Sequence, residues 1–217
     1  MPLIDLIQLL VFVVLLVALA KPVGTFLYKV FKGERTFLHP VLGPVERAIY
    51  RLVGVDPGSE MTWPVYAIAV LVFSGVCTAV LYALLRFQGV LPLNPAHVPA
   101  MPSLLAFNTA VSFVTNTNWQ AYSGESGVSY LIQMIGLTWQ NFVSPAVGMA
   151  VAVAFVRGLT RTGRKEIGNF WVDLTRACLY VLLPIALIFS VVLVSQGAID
   201  NFSAPTKVKT EIGRAHV

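Results

Sequence analysis

Apolar residues run in long uninterrupted blocks along this chain, and the charges gather between them. Asp, Glu, Lys and Arg are absent from residues 6–20, 61–85, 87–124, 126–156 and 177–199. A bilayer core of about 30 Å takes about 20 apolar residues as helix, so the blocks near 65–85, 130–156 and 177–197 predict membrane spans. The first block is shorter. Its extension through Leu3 and Ile4 carries only Asp5 and Gln8, which an interface accommodates, and predicts a span over 3–20. A secretory signal competes for this segment because Ala18-Leu19-Ala20 resembles a cleavage site. No Lys or Arg precedes the run, Asp5 does, and Lys21 follows it, so an uncleaved anchor is expected.

One apolar element is too short to cross. Pro92, Pro95, Pro99 and Pro102 stop the helix of the second span from continuing, and Ser103 to Val114 then reads as a new helix. Twelve residues at 1.5 Å each reach only about 18 Å. The charge map puts both flanks of this helix on one side of the membrane, which predicts a re-entrant loop: a half-helix that enters partway, followed by a returning limb. That limb, Thr115-Asn116-Thr117-Asn118-Trp119-Gln120, has five polar side chains in six positions. At membrane depth such backbone must be buried in protein or line a water-filled path. The third span carries Gln133, Thr138, Gln140, Asn141 and Ser144, which should face protein or the path. Gly136, Gly148 and Ala150 offer places for close helix approach.

Composition agrees with this pattern: the 217 residues are 57% hydrophobic and 12% charged. The formal net charge of +5 raises the question of nucleic acid, but the charges segregate by loop. Lys21, Lys29, Lys32, Arg35, Arg47 and Arg51 lie between the first two spans, and Arg157, Arg161, Arg164, Lys165 and Arg176 between the third and fourth. The excess of positive charge on the cytoplasmic side places residues 21–60 and 157–176 inside, and the amino terminus, residues 87–125 and the tail after 197 outside. No nucleic-acid partner is expected. The segment 21–60, rich in Gly and Pro, reads as a packed loop with a short helix at 45–53. Cys77 and Cys178 fall inside spans, and His39, His97 and His216 stand isolated, so none is assigned chemistry.

The returning limb carries the candidate chemistry. A cation crossing a membrane exchanges its water shell for oxygens, and backbone carbonyls supply these while leaving the ion mobile. Thr115 to Asn118 offer consecutive carbonyls, and the preceding helix aims the negative end of its dipole at them. A solvated outer turn is the alternative that composition leaves open, given the turn preference of Asn and Ser-Gly. The re-entrant geometry favours the filter.

The segment NTAVSFVTNTNWQAYSGE at residues 108–125 resembles the first pore loop of the potassium-transporting ATPase A subunit family, KdpA. LPLNP at 91–95, MTW at 61–63, QNF at 140–142 and GNFWVDLTR at 168–176 extend the resemblance over most of residues 3–204. It implies a subunit of ten spans with four helix, pore-loop, helix repeats related to the potassium-channel superfamily. On that pattern, Thr115, Asn116, Thr117 and Asn118 match filter-lining positions, and Gln120 a position near the outer ion site. Ordinary potassium channels have TVGYG where this chain has TNTNWQ, which leaves the carbonyl geometry open. The implied cargo is the potassium ion, with no organic cofactor. The implied partners are a P-type ATPase catalytic subunit and small accessory membrane subunits in the bacterial inner membrane. The chain itself is expected to hydrolyse no ATP.

The expected fold is thus an all-α membrane protein of four spans plus one re-entrant half-helix. Residues 1–60 hold the first span and a loop, 61–157 one complete repeat, 158–204 a loop and the opening helix of a second repeat, and 205–217 a truncated tail. A chain with one pore loop of four should neither select nor conduct alone. EIGRAHV at 211–217 back-translates to the start of a common sequencing adapter, so these residues are expected to be an artefact of truncation. Three other function classes compete. Gly158 to Lys165 mimics a phosphate loop, but Arg164 stands at the lysine position and no strand precedes it. A membrane-embedded enzyme would need Glu125 and Asp173, which the topology separates, and a pure assembly scaffold needs no ion at the loop.

Overall fold

The computed structural model of the chain describes residues 3–198 and 202–203, except for the side chain of Glu125. The expected adapter segment 211–217 and most of the tail lie outside these residues. The described chain is mainly helical, and four of its helices are long and apolar enough to cross a membrane: Leu3–Lys32, Trp63–Phe87, Ile132–Thr160 and Phe170–Ser195.

Helix α1 spans Leu3–Lys32, well past the expected end at residue 20. Pro22 lies inside it and has no N–H to offer the carbonyl four residues back. The carbonyl left without its helical donor is that of Ala18; one turn on, the Thr25 hydroxyl donates to the Lys21 carbonyl at 2.8 Å. Helix α2, His39–Val53, also starts earlier than the short helix expected at 45–53. Pro40 sits in the first turn, where a missing N–H costs little, whereas Pro44 lies inside the helix and forgoes the bond to the Pro40 carbonyl. It ends at Gly54, whose left-handed backbone (φ 70°) lets its N–H return to the Tyr50 carbonyl.

A two-residue strand β1, Met61–Thr62, leads into α3, Trp63–Phe87. Helix α4 covers Ser103–Val114, the half-helix read from the sequence, and a single turn α5, Gly124–Gly127, follows the polar limb. The third long helix opens with a π-helical stretch, Ile132–Thr138, and continues as α6, Trp139–Thr160. Strand β2, Glu166–Gly168, pairs antiparallel with β1, a small departure from an all-helical chain. The fourth long helix is α7, Phe170–Arg176, a π-helical stretch Ala177–Leu182, and α8, Leu183–Ser195.

The chain divides into two compact units, one of residues 1–69 and 146–191 and the other of 70–145 with the segment after 191. In the first, Val30, Leu179 and Tyr180 are buried with Phe26, Leu38, Leu42 and Ile49 packed around them. A polar network accompanies them. Asp173, 1% exposed, takes both guanidinium nitrogens of Arg157 at 2.6 and 2.9 Å, and Arg157 also donates to the Phe31 carbonyl at the end of α1. The Tyr66 hydroxyl lies 3.2 Å from Asp173. Arg176, three residues after Asp173 in sequence, is not its hydrogen-bond partner. Arg176 instead pairs with Glu46 of α2 at 2.9 Å, and Glu46 also accepts from Tyr50 and Tyr180, each at 2.7 Å. Gly168 (φ 110°) makes room for the Arg157 guanidinium, which a side chain at 168 would strike.

Candidate functional site

The second unit builds the polar limb from the bottom up. Its core is Leu81 and Leu85 of α3, Met101, Ala106, Ala110 and Phe113 under and along α4, and Val128, Ile132 and Leu137 of the returning chain. Ala106 and Ala110, four residues apart, place small side chains on one face of α4, and both are fully buried. Gly136 has the close approach expected of it: a methyl group there would stand 3.0 Å from Leu81. Gly148 has no such neighbour.

The segments on either side of α4 are tied together by one buried amide. Gln88 donates to the carbonyls of Pro99 (2.8 Å) and Gly127 (3.1 Å), and its own oxygen accepts from the Ser129 N–H (3.2 Å). Asn94 folds the proline-rich approach, giving its amide to the carbonyls of Gln88 and Val98 and accepting from the Val98 N–H. Neither residue was singled out from the sequence. A lone Gln at the end of an apolar span carries no pattern, and its partners lie 11 to 41 residues away.

At the end of α4 the chain turns back on itself. The N–H groups of four consecutive residues go to the last carbonyls of the helix: Thr115 to Val111 (2.9 Å), Asn116 to Phe113 (3.3 Å), and Thr117 and Asn118 both to Ser112 (2.9 and 3.1 Å). Among the described residues, the carbonyls of Thr115, Asn116, Thr117 and Asn118 accept no hydrogen bond. Asn116 and Asn118 have φ of 59° and 54°. Left-handed backbone at alternate positions is what glycine ordinarily supplies, and Asn is among the few residues with a side chain that tolerate it. Both left-handed positions of the TNTN segment are asparagines; set against TVGYG they stand where that signature has Val and Tyr, not at its glycines.

Side chains brace this backbone. The Thr115 and Thr117 hydroxyls are 3.0 Å apart, Asn118 donates to the Asn116 amide oxygen at 3.3 Å, and that oxygen accepts from Ser144 of α6 at 3.3 Å. Ser112 is buried and donates to the Trp119 carbonyl at 2.9 Å, so one residue holds three successive positions of the limb. Thr115, Asn116, Thr117 and Asn118 therefore come together. Gln120 is exposed and makes no hydrogen bond among the described residues. The polar residues of the third long helix divide: Gln140 and Ser144 are buried, Gln133 donates to the Gly124 and Val128 carbonyls, and Thr138 and Asn141 are exposed. No group of three or more His, Cys, Asp or Glu residues that could hold a metal occurs among the described residues.

The family model described as KdpA, potassium-transporting ATPase A subunit, matches residues 10–217. The chain belongs to this family. It is 57% identical over 199 residues, 92% of its length, to a potassium-transporting ATPase potassium-binding subunit of Pseudomonas syringae pv. tomato. Proteins of the same description from Geobacter sulfurreducens and Granulibacter bethesdensis are 58% identical over 90% and 54% identical over 94% of the chain. The chain spans about a third of the length of these relatives, 35%, 33% and 36% respectively. With four apolar helices and this kinship, the KdpA chain is a multi-pass membrane protein.

Proposed function

We propose that this KdpA segment contributes one strand of a potassium selectivity filter, with the carbonyls of Thr115, Asn116, Thr117 and Asn118 as ion ligands and Gln120 near the outer entrance. One observation carries the reading: four consecutive N–H groups are spent on the end of α4, while the four carbonyls of the same residues have no partner among the described residues. Unpaired carbonyls at membrane depth are costly, and a desolvated cation satisfies them. The ligands are neutral, so the ion is held without the tight grip of a carboxylate. The carboxyl end of α4 adds about half a negative charge close by.

On this reading α4 is a re-entrant half-helix, and residues 61–157 form one helix, pore-loop, helix repeat. Exposed Thr138 and Asn141, together with the exposed limb, are surfaces that further repeats of the same kind would cover. The basic residues put segments 21–60 and 157–176 on the cytoplasmic side and the amino terminus on the outer side of the inner membrane. A P-type ATPase catalytic subunit and small accessory membrane subunits supply the energy coupling, and this chain hydrolyses no ATP.

The test is potassium uptake by the full-length protein carrying this segment, in its complex, with rubidium and sodium as competitors. Replacing Asn118 by a β-branched residue, or replacing Gln120, should lower uptake or discrimination, and Lys29→Gln should change neither. Discrimination that stays unchanged across Thr115 to Gln120 would leave the loop as part of an assembly scaffold.

A further inference from the structure

Helix α2 has three faces, and only one is used by the fold. Gly43, Glu46 and Tyr50 are buried against the first unit, with Leu42 and Ile49 beside them. A second face carries Val41, Val45, Ala48 and Leu52, spaced by four, three and four residues, as one helical stripe is. All four are exposed, Val41 by 73% and Leu52 by 90%, and Phe37, just before the helix, by 78%. The third face carries Arg47 and Arg51, four residues apart and therefore stacked on the helix surface. They border an open groove completed by Gly54, Asp56 and Pro57.

These two arginines differ from Arg157 and Arg176, whose charges are matched by Asp173 and Glu46. Among the described residues Arg47 and Arg51 form no ion pair and no hydrogen bond. The one acid in the groove, Asp56, already accepts from the Gly58 N–H at 2.9 Å. An apolar stripe beside a row of unpaired guanidinium groups fits an interface that is greasy on one side and anionic on the other.

The depth of α2 agrees. Its inner face packs on Phe26 and Val30 of α1 and on Leu179, Tyr180 and Leu183 of the fourth long helix. Phe26 lies six residues, about 9 Å, inward of Lys32 at the end of α1. The helix therefore lies beside the last turns of α1, a membrane-capable helix, rather than beyond its end. That is the depth at which interfacial helices sink their apolar face about 5–10 Å into the boundary between headgroups and acyl chains.

We infer that α2 is an interfacial helix that binds anionic phospholipid, with Val41, Val45, Ala48 and Leu52 among the acyl chains and Arg47 and Arg51 on the lipid phosphates. The site is independent of the filter, and neither requires the other. A full-length protein in its complex, with Cys77 and Cys178 replaced by Ser and no other reactive cysteine, would carry Ala48→Cys labelled with bimane. Vesicles would contain phosphatidylcholine and phosphatidylglycerol, with bromine on the chains of one or the other. A Leu10→Cys label on the exposed part of α1 serves as the reference for insertion. Bimane at 48 should be quenched by brominated chains, and more strongly per mole by phosphatidylglycerol. Arg47→Gln with Arg51→Gln should reduce that preference by about fivefold for each charge removed, while quenching by phosphatidylcholine persists. The inference is overturned if the label at 48 escapes quenching while the one at 10 is quenched, since the face is then covered by protein or water. It is equally overturned if both lipids quench alike, or if the preference survives loss of both arginines.

Discussion

The two units of this chain treat their polar groups in opposite ways. Around Asp173 and Glu46, buried charges meet counter-charges, hydroxyls and carbonyls. Arg157 bridges Asp173 to the Phe31 carbonyl, and Glu46 takes Arg176, Tyr50 and Tyr180 at once. Around Thr115 to Asn118, the N–H groups are satisfied, and the carbonyls of the same residues accept no hydrogen bond among the described residues. A polar cluster that closes on itself holds helices in place. One whose N–H groups are met while its exposed carbonyls stay open is the arrangement that the proposed filter requires.

The comparison breaks first at its most buried pair. Removing one partner of a buried ion pair strands the other charge, at a cost of about 3–5 kcal/mol. Arg157→Gln or Asp173→Asn should therefore lower the amount of folded full-length protein and its melting temperature in detergent more than any change in the limb. Ion discrimination in the protein that survives should be that of the parent.

Substitutions in the limb should do the reverse. A left-handed backbone costs ordinary residues roughly 1–2 kcal/mol, and β-branched ones are the least tolerant. Asn116→Val and Asn118→Val should each lower the preference for potassium over sodium by about tenfold, on the order of 1.4 kcal/mol, with little loss of melting temperature. Asn118→Gly keeps the backbone and should retain most of the preference. If Gly and Val behave alike, side chains rather than carbonyls carry selectivity.

How much of this was legible in the sequence depends on distance along the chain. The short helix at 103–114 and the polar limb after it were readable, because prolines and charge-free runs are local signals. The continuation of α1 through Pro22 was not, since a proline reads as a stop unless the membrane around the helix is taken into account. The pairing of Asp173 with Arg157 and of Arg176 with Glu46 joins residues 16 and 130 positions apart, and nothing in the intervening sequence marks either pair. The left-handed backbone at Asn116 and Asn118 was hidden for a different reason. Asn is common in turns, and only the backbone angles distinguish the use made of it here.

The Glu46 cluster sharpens the comparison through pH. Burial pushes the carboxyl up, but hydrogen bonds from Tyr180, Arg176 and Tyr50 outweigh it and hold Glu46 below the usual glutamate value. A carboxyl lowered in the folded state stabilises fully above its unfolded pKa, about 4.3, and loses that contribution as pH falls through the folded value. Melting temperature should fall across that acid range, and Glu46→Gln should flatten the Glu46 part of the slope. Tyr180→Phe should cost about 1 kcal/mol at neutral pH.

The smallest effect is expected at Ser144, whose single bond to Asn116 is 3.3 Å long. Ser144→Ala should cost no more than about 0.5 kcal/mol in stability. It should still lower potassium preference slightly, because Asn116 loses its brace. A loss of stability without any change in preference would place Ser144 with the closed cluster instead.

The most direct measurement is anomalous scattering from crystals of the full-length protein, in its complex, grown with rubidium in place of potassium. Rubidium density in direct contact with the carbonyl oxygens of Thr115, Asn116, Thr117 or Asn118 is the predicted result. Rubidium bound elsewhere in a transport-competent protein, with those carbonyls facing only protein, would contradict the account.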